Sequence, residues 1–374
     1  MKISKQDALQ WFEFFAALDA DEVLPPRQQE IALATLSQIE DTEEARIEAL
    51  LGQVPGLKTL KDRTRYVGPD DKFPKGCRSC LLGTGLSAIR RTNRCNLQCP
   101  FCYDYGELDS QPPVGEDCWE IGGCRYRTRD LELLLSIHRP PTGISYVYLE
   151  PFMEIGVYYD AIRRFHQAGI YQHMYTNGTL ATEENLRALG EAGLDELRFN
   201  LGASGCSDRV IRMIGVAKQF IPMVGIETPM TPAFHEAFLR KRQAIFDTGL
   251  DFMNCAELHL NPNNVENYWG EPMYMYRQGY LSPIWSHELT LDLMRRAGEE
   301  RWPIVVHDCC NRTKFARDMN LRAHEGGWFG ASSYGNEFGG IPYEVFLPIL
   351  RDDSFRFLRE EPLPEGYRVG DVVL

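Results

Sequence analysis

The stretch "NRCNLQCPFCYDYGE", residues 93–107, holds Cys95, Cys99 and Cys102, with Tyr103 directly after the last. The preceding "LSAIRRT" (86–92) reads as a strand. The three thiols then lie in the loop at its C-terminal end, the edge where β/α folds place their chemistry. Two chemistries fit. A structural zinc site usually takes four protein ligands, and the fourth would have to come from elsewhere, with Cys118 or Cys124 as candidates. A cubane iron–sulfur cluster can be held by three thiolates, leaving its fourth iron open to a group that is not protein.

The rest of the chain bounds the choice. At 374 residues and 44% apolar composition, the chain can bury a substantial core. It has 11 cysteines, an odd number, and the N-terminus lacks the apolar stretch of a secretory signal. A disulfide framework is the weaker reading, and metal or redox chemistry the stronger one. The expected location is cytoplasmic. No run of eighteen apolar residues suggests a membrane span. A net charge of −13 works against non-specific binding to nucleic acid or anionic lipid.

Outward from the cysteine loop, strand-like and helix-like stretches alternate. Candidate strands are 86–92, 144–151, 172–178, 196–202, 222–229 and 252–260. Helical patterns lie between them, several ending in Gly. That alternation predicts parallel strands joined by crossovers. Six such units fit an α/β fold of the open, partial (β/α)6 barrel type better than a closed barrel of eight. Residues 1–75 are expected to form an N-terminal helical segment ending in a linker, 76–265 the barrel core, and 266–374 an irregular C-terminal extension. The extension should contribute one helix ("SHELTLDLMRRAGEE") and one strand ("PIVVHD"), and close the barrel's edge or mouth.

"CNLQCPFCY" resembles the C-x3-C-x2-C-aromatic motif of the radical S-adenosylmethionine (radical SAM) superfamily. Three further segments fall where that family would place them. "YLEPFME" keeps the Glu-Pro of a Gly-Gly-Glu-Pro segment as Glu150 and Pro151, with Tyr148 and Leu149 in place of the glycines. "MYTNGTL" resembles the family's Thr-Asn-Gly turn, at Thr176, Asn177 and Gly178. "LRFNLGAS" resembles a strand whose polar residues line the cofactor site. The resemblance spans about residues 86–262. It implies a [4Fe–4S] cluster on Cys95, Cys99 and Cys102, with S-adenosylmethionine chelated to the open iron. It also implies an electron donor such as flavodoxin or ferredoxin, and a small-molecule or peptide substrate that loses a hydrogen atom. Tyr103, Glu150, Thr176, Asn177, Arg198, Asn200 and Glu227 are the expected cofactor-binding residues. With the glycines missing, the cofactor's amino group is expected to rest more on Glu150. The competing readings are a non-catalytic iron–sulfur electron-transfer or scaffold protein and a zinc-stabilised binding module. Glu150 and the Thr-Asn-Gly turn favour the enzyme, because an electron carrier needs no S-adenosylmethionine site.

Strand alternation assigns the faces. Phe199 and Leu201 are expected to pack outward, which turns Arg198 and Asn200 inward; Val224 and Ile226 do the same for Glu227. On the sixth strand Ala256, Leu258 and Leu260 are read as the outer face. Cys255, Glu257 and His259 would then face the interior, with Glu257 and His259 as catalytic candidates. Cys77 and Cys80 in "GCRSC", with Cys309 and Cys310 in "HDCCN", make a reasonable ligand set for a second iron–sulfur cluster or a mononuclear metal. They could meet if the late strand lies beside the first. The layout is similar to proteins related to pyruvate formate-lyase activating enzymes. Cys118 and Cys124 could join that site, bind zinc or be free thiols.

Overall fold

The computed structural model describes residues 42–60, 64–81, 85–90, 94–103, 118–121, 124–131, 141–260, 264–268, 270–275 and 281–310, plus two short strands at Trp328–Phe329 and Ile341–Pro342. The helical patterns expected before residue 42, most of "TRDLELLLSIH" and most of the tail lie outside these residues.

The strands are β1 (Lys58–Leu60), β2 (Thr64–Val67), β3 (Gly85–Ile89), β4 (Trp119–Ile121), β5 (Cys124–Tyr126), β6 (Gly143–Val147), β7 (Tyr171–Thr176), β8 (Glu196–Phe199), β9 (Met223–Pro229), β10 (Phe252–Ala256), β11 (Met273–Met275), β12 (Leu281–Pro283) and β13 (Val305–Cys309). The helices are α1 (42–51), α2 (Lys75–Leu81), α3 (Tyr158–Gln167), α4 (Glu183–Ala192), α5 (Asp208–Ala217), α6 (Pro232–Phe246) and α7 (Ile284–Glu300).

An eleven-stranded sheet runs in the order β1-β2-β13-β10-β9-β8-β7-β6-β3-β4-β5. From β13 to β3 every neighbour is parallel, and both ends are finished by antiparallel strands, so the sheet does not close. The partial barrel therefore stands, with one parallel strand more than the six expected. The extra strand is β13, the "PIVVHD" segment, and it follows the expected helix α7. Its place corrects the expectation that the late strand lies beside the first: β13 pairs with β10, at the far end of the parallel run from β3. The stretch read as a linker supplies β2, which pairs antiparallel with β13. Cys118 precedes β4 and Cys124 opens β5, in the β4–β5 hairpin that extends the other end.

The helices start where short polar side chains can cap them. Thr182 and Asn185 bond reciprocally at the start of α4, and Ser207 and Thr231 accept from Val210 and Phe234 at α5 and α6. Their apolar faces, such as Ile162 and Phe165 on α3 or Ile211 and Ile214 on α5, join Met174, Leu197, Phe199, Val224 and Ile226 from the sheet in one core. That core fixes the parity of each strand. Residues alternate with these, so His173, Tyr175, Arg198 and Glu227 turn inward.

β10 is buried along its whole length, so apolar alternation could not report its parity. Met253 and Cys255 pack in the outer core. Asn254 turns inward to bond Glu227 Oε2 at 2.8 Å. This corrects the inward reading of Cys255 and of the face it was taken to share. The strand ends at Ala256, and the chain then leaves the sheet.

Helix α2 plugs the N-terminal end of the barrel. Ser79 packs against Gly85 and Gly143, the first residues of β3 and β6. Cys77, Phe73 and Leu81 cluster with Phe252 and Val305, the first residues of β10 and β13. Gly76 allows the close approach: a Cβ there would sit 2.6 Å from Arg198 Nη2 and 2.7 Å from His173 Nδ1. The opposite, C-terminal end is left for the cysteine loop.

Candidate functional site

Cys95, Cys99 and Cys102 are half-buried in the loop that follows β3. Cys102 N donates to Cys99 O at 3.0 Å, a turn that draws the last two thiols toward one another. Burial pushes the Cys99 thiol up to about 12, and the neighbouring Cys102 and Cys95 push the same way. The three sulfurs thus lie in mutual electrostatic reach.

Two neighbouring strand ends tie this loop down. Glu150 N donates to Arg94 O at 3.2 Å, fastening the loop to the end of β6. Asn177, after β7, donates from Nδ2 to Asn96 Oδ1 at 2.9 Å, while Asn96 Nδ2 reaches Thr179 Oγ1 at 2.8 Å. Asn177 Oδ1 also accepts from Thr179 N and Oγ1, at 2.9 and 2.6 Å. The Cys95 thiol is raised by burial, and hydrogen bonds from Leu97 N and the Asn177 side chain oppose the rise. From the other side, Asn267 Nδ2 donates to Pro100 O at 2.9 Å and Asn264 Nδ2 to His259 O at 3.1 Å. Asn96, Thr179, Asn264 and Asn267 were not singled out from sequence. The run "NPNNVEN" was the available signal, since Asn side chains satisfy loop backbone.

Glu150 is the hub. It is 2% exposed, and all its described acceptor bonds come from its own chain. Oε1 accepts from Phe152 N at 3.1 Å and Thr176 Oγ1 at 2.7 Å, and Oε2 accepts from Asn177 N at 2.6 Å. Burial pushes its carboxyl up to about 7, and those three donors hold it from rising further. A carboxylate oxygen has two acceptor positions. Oε2 therefore keeps one acceptor position beyond the described bonds.

Just before it, Tyr148 and Leu149 have φ of 92° and 52°. This left-handed backbone is what glycine supplies at low cost. The conformation is kept here although the glycines are not.

The interior of β7–β10 is an ion-pair network. Arg198 pairs with Glu196 and, at 2.6 Å, with Glu227, and donates to Tyr175 Oη at 2.9 Å. Asn254 bridges Glu227 to His307, whose Nδ1 is 2.7 Å from Asn254 Oδ1. Arg198 and Glu227 thus satisfy each other. Asn200 accepts from Ala203 N at 3.1 Å and Thr228 Oγ1 at 2.7 Å, which caps the turn after β8.

The catalytic candidates separate. The His259 ring packs on Tyr103, with centroids 4.8 Å apart, beside the cysteine loop. Glu257 is buried, its amide donating to Cys309 O at 3.2 Å, and its charge acts on His287 of α7. The four further cysteines separate as well. Cys77 lies inside the barrel, where its sulfur meets Asn254 Nδ2 at 3.0 Å and Arg198 Nη2 at 3.5 Å. Burial pushes that thiol up to about 12. Cys80 is on the same plugging helix, and Cys309 ends β13. Cys310 faces His287 and Asp308, and no three of the four cysteines come within 4.8 Å of one another.

An open parallel barrel with a three-thiol loop braced at its C-terminal edge defines an α/β protein whose candidate site lies at that edge. The family model of the radical SAM superfamily matches residues 89–220. That segment therefore matches a radical SAM domain. A Methanocaldococcus jannaschii protein, provisionally described as a glycyl-radical enzyme activating enzyme, is 26% identical over 204 residues, 52% of each chain. The tungsten-containing aldehyde ferredoxin oxidoreductase cofactor-modifying protein of Pyrococcus furiosus is 23% identical over 198 residues, 47% of this chain and 52% of that one. The chain spans about half the length of these curated relatives. Streptococcus suis SuiB, solved with S-adenosylmethionine bound, aligns at a TM-score of 0.38 and 14% identity, over 48% of this chain and 42% of that one. A score that low does not by itself establish shared architecture. No helix among the described residues is long and apolar enough to cross a membrane.

Proposed function

We propose that the chain binds a [4Fe–4S] cluster on Cys95, Cys99 and Cys102, with S-adenosylmethionine on the open iron, and uses the pair to take hydrogen from a polar small-molecule or peptide substrate. The observation that carries this is the bracing of a three-thiol loop directly against the Glu150–Thr176–Asn177 hub. A cluster and S-adenosylmethionine, held by Cys95, Cys99, Cys102 and Glu150, would supply one-electron radical chemistry there.

The chain's own residues hold and orient. Glu150, open at one Oε2 position and adjacent to the loop, receives the cofactor's ammonium. A charge-assisted bond of this kind is worth about 1.5–3 kcal/mol. The left-handed Tyr148–Leu149 backbone shapes the β6 end beside it. Tyr103 and His259, stacked next to Cys102, cover the loop's far side and keep water from it. Arg198, Glu196 and Glu227 pair internally, so their part is to keep the barrel wall polar and fixed rather than to react. The two relatives act, by name, on an enzyme and on a cofactor, so both substrate classes stay within the proposal. An electron donor of the flavodoxin or ferredoxin kind completes it.

The test is turnover. Chain reconstituted anaerobically with iron and sulfide, and given a strong reductant, should convert S-adenosylmethionine to 5′-deoxyadenosine. The variant with Cys95, Cys99 and Cys102 replaced by Ala should not. Equal product from both would remove the loop from the reaction.

A further inference from the structure

Outside this site, one buried group of side chains has the composition of a metal site. His287, Asp308 and Cys310 each offer a donor atom, and the three atoms lie within 4.8 Å of one another. We propose that His287, Asp308 and Cys310 bind one Zn2+ ion that fastens α7 to the end of β13.

The placement follows from parity. Asp308 and Cys310 are two residues apart at the end of β13, so they turn to the same side. That side is the outer one: Asp308 is in register with Cys255, which packs in the outer core, whereas the adjacent His307 turns inward to Asn254. His287 stands in the first turn of α7, the helix that covers this face. The three are only 3%, 2% and 4% exposed.

The polar accounting points to a missing partner. His287 Nε2 lies 3.0 Å from Asp308 Oδ2 and the Cys310 side chain hydrogen-bonds Asp308, while His287 Nδ1 is buried with no hydrogen-bond partner among the described residues. Native interiors rarely leave such atoms unmatched, and an unseen ion is one of the standard explanations.

Charge and donor type select the ion. A carboxylate, a thiolate and a neutral imidazole sum to two negative charges, which a divalent cation balances in a dry space. One nitrogen, one oxygen and one sulfur suit Zn2+, whereas Ca2+ and Mg2+ want oxygen alone. The role is structural. The site is separate from the cysteine loop and from Cys77 and Cys80, so it stands or falls independently of the proposed turnover.

The experiment uses the full chain with Cys95, Cys99 and Cys102 replaced by Ala, which removes the loop's thiols as a competing site. Elemental analysis should find about one zinc per chain. Adding His287→Gln or Cys310→Ser should bring it close to zero, and adding Cys77→Ser and Cys80→Ser should leave it unchanged. Because the His287 or Cys310 variants could fail to fold, the zinc is also exchanged for Co2+ in the triple-Ala chain. A near-ultraviolet thiolate-to-cobalt band that survives Cys77→Ser and Cys80→Ser is expected. Zinc that is indifferent to both His287→Gln and Cys310→Ser would overturn the proposal. So would a chain with neither zinc nor a cobalt band, which would leave an ordinary buried His–Asp pair.

Discussion

Replacing Glu150 by Ala probes the hub from which the loop hangs. The change leaves two backbone donors, Phe152 N–H and Asn177 N–H, without the acceptors they now reach at 3.1 and 2.6 Å. Each such loss costs about 1–3 kcal/mol when water cannot replace the partner. The expected destabilisation is therefore about 2–6 kcal/mol. It should also depend on pH. The folded carboxyl sits at about 7 against an ordinary 4.5. Between those values the folded chain holds more protons than the unfolded one, so this group lowers stability as pH rises. Below 4.5 both states are protonated and above 7 both are ionised, so the change is confined to that window. The shift corresponds to about 3 kcal/mol. Glu150→Ala lacks the group, so its deficit against the parent should be about 2–3 kcal/mol larger at pH 5 than at pH 8. The assay is denaturant unfolding of the cluster-free chains at both pH values. A deficit that does not change with pH would refute the buried, raised carboxyl, and no deficit at either pH would refute the hub.

Three further substitutions test the surrounding structure. Arg198→Met strands the carboxylates of Glu196 and Glu227, which are 0% and 5% exposed, and should cost about 3–5 kcal/mol in denaturant unfolding. Gly178→Ala places a Cβ at φ 75° and 2.7 Å from both Phe199 and Val210, so it should lower the thermal midpoint more than Ala does at the open Gly156. Asn177→Ala removes the side-chain ties to Asn96 and Thr179, worth on the order of 1–2 kcal/mol. The reconstituted cluster should then lose iron to a chelator several-fold faster, while unfolding of the remaining barrel changes little.

The residues explain which parts of this structure were legible in the sequence. Cys95, Cys99 and Cys102 could be read because their spacing is local. Arg198 and Glu227 could be read because apolar neighbours alternate with them on strands that pack helices on one side. β10 gave no such alternation, since Phe252, Asn254 and Ala256 are buried on the inner face as fully as Met253 and Cys255 on the outer. The place of β13 beside β10 depends on strand order, which no local pattern encodes; Cys77 meets the start of β13, whereas Cys310 follows its far end. Nor does the sequence show a left-handed Tyr148–Leu149. Without glycine those positions read as ordinary extended chain, yet their φ is positive. His287 and Asp308 are 21 residues apart and meet only once α7 lies on β13.

The central claim is that three thiolates hold a four-iron cluster whose open iron takes S-adenosylmethionine. Electron paramagnetic resonance of the reconstituted, dithionite-reduced chain tests it most directly, recorded with and without S-adenosylmethionine. The account predicts a [4Fe–4S]+ signal whose g-values shift when S-adenosylmethionine is added and which is absent from the Cys95, Cys99, Cys102 triple-Ala variant. A signal indifferent to S-adenosylmethionine, or one that persists in the triple variant, would contradict it.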